Sequence, residues 1–316
     1  MAVTDSVLVL RALGLGDLLT AVPALRALRR ARSGARLVLA APDALRDLVD
    51  LIDAVDELLP TAGLGELNWP GQPPSLAVNL HGSGPDSIRD LLAQRPRELL
   101  THRHPGFPDQ PGPDWRSDVH EVDRWCRLLE YAGMPADREE LRLPAPPGPS
   151  PAPGVVVIHP GAAFAARRWP PARYALVARE LATAGHEVVV TGTAAELSLA
   201  QEVAGLADRP GWAVLAGRTG LAELAALVAG AELVVCGDTG VGHLATAFGT
   251  PSVLLFGPTP PRLWGPPPAA SQHVALWAGD VGDPHGDQPD AGLLTLHPER
   301  VLAAADGLLR GKVPHG

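Results

Sequence analysis

Leu233-Val234-Val235-Cys236 is an unbroken apolar run that leads into Gly237-Asp238-Thr239-Gly240-Val241-Gly242-His243, then a short segment Leu244–Phe248, then a second apolar run, Ser252–Phe256. A strand apolar on both faces, a glycine-rich turn, a helix and another such strand form one βαβ unit. That unit builds parallel sheets covered by helices on each side. The same grammar recurs outward from it. Strands are predicted at Val155–His159 and Glu187–Thr191 in this half, and at Val7–Leu10, Leu37–Ala40 and Leu76–Leu80 in the other. Each is followed by a turn and an Ala/Leu/Arg segment of helical character, such as Leu18–Arg30.

The two halves are joined by Pro144-Ala145-Pro146-Pro147-Gly148-Pro149-Ser150-Pro151-Ala152-Pro153-Gly154, too rich in proline for helix or inner strand and read as a stiff extended linker. The fold class is therefore α/β, with two Rossmann-like parallel-sheet domains facing a central cleft. The first domain spans 1–143, the linker 144–153 and the second domain 154–297. The tail 298–316 carries a helix starting at Pro298, which packs on the second domain or crosses back to the first. In open α/β sheets, ligands bind outside the carboxyl ends of the strands, so the chemistry belongs to the loops that follow them. Thr101–Asp118 is expected to rim the cleft, and Asp280–Asp290 to be a mobile loop.

Composition excludes several classes. The 316 residues are 46% hydrophobic and 19% charged, enough to bury two cores and unlike a disordered chain. No run of 18 apolar residues is present, and Val7–Leu10 stops at Arg11, too short for a secretory core, so the chain is read as cytoplasmic. A net charge of −9 argues against a nucleic-acid partner, and no strongly basic amphipathic helix calls for more than peripheral membrane contact. Cys126 and Cys236 form no CxxC, so neither a disulfide scaffold nor a zinc site is suggested.

Four loops carry chemistry. The first strand exits through Arg11-Ala12-Leu13-Gly14-Leu15-Gly16-Asp17. Gly14 and Gly16 begin a dinucleotide fingerprint, but Leu19 takes the third glycine position and Asp17 puts a carboxylate where a pyrophosphate would approach, which disfavours an NAD-dependent oxidoreductase. Asp17 is either an N-cap or a general base facing the cleft. After Val155–His159 come Arg167-Arg168-Trp169-Pro170, a pair of guanidinium forks ahead of a helix start, suited to phosphate oxygens unless they are merely solvated. The turn Gly237–His243 lets backbone N–H groups approach a diphosphate, with Thr239 adding a hydroxyl and Asp238 serving as N-cap or turning to a sugar hydroxyl. Glu196, at a helix start after Thr191-Gly192-Thr193, either complements the helix dipole or takes ribose hydroxyls. By position, Asn79, His81 and Ser83 are acceptor contacts. No Asp-x-Asp metal motif is visible, so no metal and no cofactor are assigned.

Taken together these loops resemble glycosyltransferase family 9, the ADP-heptose:lipopolysaccharide heptosyltransferases. The likeness lies in Val235–Pro251 with Leu255-Phe256-Gly257-Pro258-Thr259, in His159-Pro160-Gly161 with Arg167–Pro170, and in Gly16-Asp17 with Pro23-Ala24-Leu25. It implies the GT-B fold, with acceptor on the first domain and nucleotide sugar on the second, and inverting, metal-independent transfer. On the matching positions it implies Asp17 as base and Arg167 where the family usually has a phosphate-binding Lys. Glu196 would then contact the ribose, and Asp238, Thr239, Gly240 and His243 the donor sugar and diphosphate. Thr219, within Gly217–Gly220, falls near the adenine. The implied function is transfer of a heptose-like sugar from an ADP-linked donor to a hydroxyl of a glycolipid core or a natural-product scaffold. Alternatives are a UDP- or GDP-sugar transferase or epimerase on the same fold, and a non-catalytic sugar-nucleotide binder.

Overall fold

Val7, Leu8, Val9 and Leu10 are all fully buried, so the first strand is covered on both faces as a parallel strand between helix layers should be. The computed structural model of the chain describes residues 5–208 and 213–311. The end of the expected tail, 312–316, lies outside the described residues, as do 1–4 of the first domain. The chain divides into two compact units, Met1–Leu141 and Arg142–Gly316.

The first unit holds β1 (Ser6–Leu10), β2 (Arg36–Ala41), β3 (Glu57–Pro60), β4 (Leu76–Asn79) and β5 (Glu98–Leu100). They form one parallel sheet in the order β3-β2-β1-β4-β5, with Val9 opposite Leu39 on one side and Val78 on the other. Strand order reverses between β1 and β4, which makes their exits the natural ligand edge. The helix predicted over Leu18–Arg30 is two helices, Leu15–Thr20 and Val22–Ala31, because Pro23 has no N–H to continue the first ladder and instead suits a new first turn. The second of these packs against the helix Glu121–Tyr131, whose Trp125 is buried.

The second unit holds β6 (Val156–His159), β7 (Val188–Val190), β8 (Ala213–Val214), β9 (Leu233–Gly237), β10 (Ser252–Phe256) and β11 (His273–Trp277), all parallel, in the order β11-β10-β9-β6-β7-β8. Here the order reverses between β6 and β9. The core beneath is Val156, Ile158, Leu233, Val235 and Leu255, with Trp169 and Tyr174 edge to face at 5.0 Å. The helix Pro298–Arg310 puts Val301 and Ala305 into this same core, where the sequence left open a return to the first half. Pro144–Gly154 carries neither helix nor strand. The helix after β9 starts at Gly240 rather than Leu244, since the Thr239 hydroxyl accepts a hydrogen bond from the Val241 N–H at 3.1 Å and caps it early. It ends at Gly249, whose φ of +69° is the left-handed closing conformation that glycine adopts without a Cβ penalty.

Candidate functional site

In the second unit, the loops after β6, β7 and β9 bring most of the expected donor residues to one sheet edge. The turn Ala165–Arg167 after β6 carries Arg167 to the exit of β9, where the guanidinium stands 4.0 Å from the Asp238 carboxylate. The approach is close because residue 237 is glycine: a Cβ there would sit 2.9 Å from the Arg167 carbonyl oxygen. Arg167 also lies over the Phe164 ring at 5.3 Å, and its Nε is buried with no partner among the described residues. A buried donor left unpaired costs about 1–3 kcal/mol. Asp238 is buried, and that burial, opposed by Arg167, lifts its carboxyl to about 6.

Asp238 does not cap the following helix; Thr239 does, and because its oxygen accepts, its O–H proton remains available to a ligand. His243, one turn into that helix, meets Trp264 edge to face at 6.0 Å. Both line a small, open recess with Gly237, Asp238, Thr239 and Gly242. Arg168 turns back on its own loop, donating from Nε to the Ala162 carbonyl at 2.9 Å, so of the two arginines Arg167 is the one at the Asp238 edge.

Glu196 closes a capping box, its Oε2 accepting from the Thr193 N–H at 2.8 Å and hydroxyl at 2.9 Å. The rest of the carboxylate lies over Gly161, where a Cβ would come within 2.2 Å of Oε1. Its charge reaches His159, a residue the sequence reading left out of the site. Burial holds that imidazole below its usual range, and Glu196 works against the effect. His159 is further tied to the Thr191 hydroxyl at 3.0 Å. Thr219 lies on the next loop, whose Gly217 N–H donates to the Gly192 carbonyl at 3.0 Å.

In the first unit, Asp17 is not an N-cap: the helix Leu15–Thr20 is capped at Gly14, and Asp17 is its third residue. Its partner is Arg11, the residue that follows β1, which is 1% exposed. Arg11 donates to the Asp17 carbonyl at 2.9 Å and carboxylate at 3.3 Å, to the Thr20 hydroxyl at 3.2 Å, to the Leu80 carbonyl and to Glu121 Oε1 at 2.9 Å. Burial raises the Asp17 carboxyl above the usual aspartate range; Arg11 pulls it down and Glu121 pushes it up. Of the expected acceptor contacts, Asn79 is a correction. It is fully buried, and its amide donates to Ser87, Thr101 and the Gly82 carbonyl while accepting from the His81 N–H, so it shapes the loop from beneath. His81 and Ser83 are half-buried on that loop. Burial and the nearby Arg11 hold His81 down at about 4, so it is neutral at pH 7. Among the described residues no three His, Cys, Asp or Glu side chains gather as a metal site would require.

With this geometry in hand, the likeness to known proteins is specific. The family model for glycosyltransferase family 9 (heptosyltransferase) matches residues 115–286. Lipopolysaccharide heptosyltransferase 2 of Escherichia coli (strain K12) is 32% identical over 157 residues, 48% of this chain and 45% of that protein. Such alignments span about half the length of the curated relatives they match. Among solved structures, E. coli ADP-heptose lps heptosyltransferase II superposes with a TM-score of 0.79 at 20% identity, over 98% of this chain and all of the other. E. coli heptosyltransferase WaaC with ADP gives 0.71 at 18% identity, over 96% and 99%. At such identities the structures speak for the fold, which is GT-B. The matched segment is more than half of the sequence, and the chain belongs to glycosyltransferase family 9, the heptosyltransferase family.

Proposed function

We propose that the chain is an inverting, metal-independent glycosyltransferase that moves a heptose-like sugar from an ADP-linked donor to an acceptor hydroxyl, on a glycolipid core or a natural-product scaffold. The observation that carries the reading is Asp17: a carboxylate at the exit of β1, next to the reversal of strand order, held on the buried Arg11 and raised in basicity by burial. Support for the donor comes from Arg167, with its unpaired Nε, beside the capped N-terminus of Gly240–Phe248, an arrangement suited to a diphosphate. Support for ADP comes from the solved E. coli heptosyltransferase that carries it.

In this mechanism the acceptor O–H gives its proton to an Asp17 carboxylate oxygen while the oxygen attacks the anomeric carbon. The bond from that carbon to phosphate breaks on the opposite face, and ADP departs with the bonding pair. Arg167 and the helix N–H groups meet its charge; Glu196 takes the ribose, with Thr219 near the base. Asp238 and His243 contact the sugar. His81 and Ser83 face the acceptor. On this reading the reaction runs in the cytoplasm with at most peripheral membrane contact; no described helix is long and apolar enough to cross a membrane.

The test is donor selection. A nucleotide at 100 times its Kd stabilises its protein by about 2.7 kcal/mol. ADP is expected to raise Tm more than UDP or GDP, and mass spectrometry to find a heptose-sized adduct on an acceptor only with the ADP-linked donor. Preference for UDP or GDP would overturn the ADP assignment, and donor binding without any transfer would reduce the chain to a binder.

A further inference from the structure

The Asp17 carboxylate is not alone with Arg11. The same guanidinium is shared with a second carboxylate, Glu121, from the first turn of the helix Glu121–Tyr131, more than a hundred residues along the chain. Glu121 is 4% exposed, and both of its carboxylate oxygens accept hydrogen bonds. Its Oε1 accepts from Arg11 and, at 2.9 Å, from the Trp125 indole N–H; its Oε2 accepts from Arg124. Trp125 in turn lies under Arg11, with the guanidinium carbon 4.7 Å from the ring centroid. Arg124 stacks on Trp115 at 4.4 Å and donates to the Arg116 carbonyl. The row Asp17–Arg11–Glu121–Arg124 thus alternates in sign, inside the unit, behind a single half-exposed member.

Such a row has a chemical consequence. A carboxylate paired one-to-one with a buried guanidinium is a poor base, because the cation stabilises the ionised form. If Arg11 served Asp17 alone, it would orient the carboxylate and weaken it together. Dividing the same cation between two carboxylates keeps the orientation and returns part of the basicity. Resting on the reading of Asp17 as the base, we propose that Glu121 is a positioning residue: through Arg11 it fixes the Asp17 carboxylate while sparing it the full charge of the guanidinium.

The other groups packed around this pair do not compete for the role. His81, on the loop after β4, is held neutral by burial and by Arg11. His102, after β5, is edge to face with Trp115 and Trp125 and is likewise held at about 4 by burial, then by Arg124. The Thr20 hydroxyl and the Leu80 carbonyl are neutral partners of Arg11. Glu121 is therefore the charge beside Arg11 whose sign favours a protonated Asp17, and Arg124 is the charge that tempers Glu121.

Two substitutions shift Asp17 in opposite directions. Glu121→Gln removes the competing charge, so the acidic limb of the kcat/KM profile should move down by roughly one pH unit, with a lower plateau from the weaker base. Arg124→Met leaves the Glu121 charge less offset toward Arg11 and Asp17, and the limb should move up. Carbon-13 NMR of aspartate-labelled protein, with the Asp17 signal assigned by its loss in Asp17→Asn, reads the same titration without turnover, and ADP affinity should be unchanged in both variants. A merely structural role would reduce rate or stability without opposed displacements of the titration. If Glu121→Gln does not fold, Arg124→Met decides: an upward displacement supports the role, and an unmoved titration overturns it. Should Asp17→Asn retain full transfer, the base assignment itself fails. Should Asp17→Asn be inactive while both variants titrate like the parent, only the role of Glu121 fails.

Discussion

Arg167 and Asp238 face each other at 4.0 Å across the exits of β6 and β9, with the Arg167 Nε buried and unpaired and the Asp238 carboxyl pushed up to about 6. This is a pair set too loosely to satisfy itself. A diphosphate oxygen that accepted from Arg167 would complete the guanidinium's hydrogen bonding, and it would leave the carboxyl to a sugar hydroxyl.

Arg167→Ala should therefore weaken ADP binding while sparing adenosine, which has no phosphate to lose. A charge-assisted hydrogen bond is worth about 1.5–3 kcal/mol, so the ADP Kd should rise by roughly 10- to 150-fold in titration calorimetry. Arg167→Lys keeps the charge without the fork and should fall between. Equal losses for ADP and adenosine would assign Arg167 to the nucleoside.

Asp238 gives a stability signature against pH. Its carboxyl titrates near 6 folded, against 3.8 as the ordinary value, so the folded state holds the proton more tightly over that window. The stability it contributes is complete below about pH 4 and is lost as pH rises through 6. Asp238→Asn should stabilise the ligand-free protein at pH 7, by up to about 3 kcal/mol, and by little at pH 4. Urea denaturation at the two pH values checks this; a pH-independent difference would contradict it.

Gly161 is a position where a methyl group is enough. A Cβ would land 2.2 Å from Glu196 Oε1, and the carboxylate would have to leave. Gly161→Ala should cost about 1 kcal/mol through the broken capping box and weaken ADP binding by roughly tenfold, about 1.4 kcal/mol. Affinity for inorganic pyrophosphate, which has no ribose, should be unchanged in the same titration.

The central strands were legible because both their faces are apolar: β10 was read to the residue, and β1, β2, β4, β6, β7 and β9 to within one or two. The edge strands were not. β3 ends on Pro60, β3 and β5 begin on Glu57 and Glu98, β8 has two residues, and β11 begins on His273, so none is a clean apolar run. Strand exits were legible too, and Asp17, Arg167, Asp238 and Thr239 came from them. What the sequence hid were residues whose role comes from a partner far along the chain. Arg11 read as the polar stop of a strand yet is among the most buried side chains of the protein. Glu121 drew no notice at all, since an acid in the first turn of a helix does no more than complement the helix dipole until a distant partner is known. Asn79 misled in the other direction, since its position at a strand exit gave no sign that its amide was already occupied.

The transfer step itself is tested most directly by single-turnover rates of the parent protein and Asp17→Asn, with the ADP-linked donor saturating and ADP affinity measured alongside. The expected result is a rate about 10²–10⁴ lower for Asp17→Asn with ADP binding intact, the usual loss when a general base is removed. Equal rates in the two proteins would mean that the acceptor proton leaves by another route.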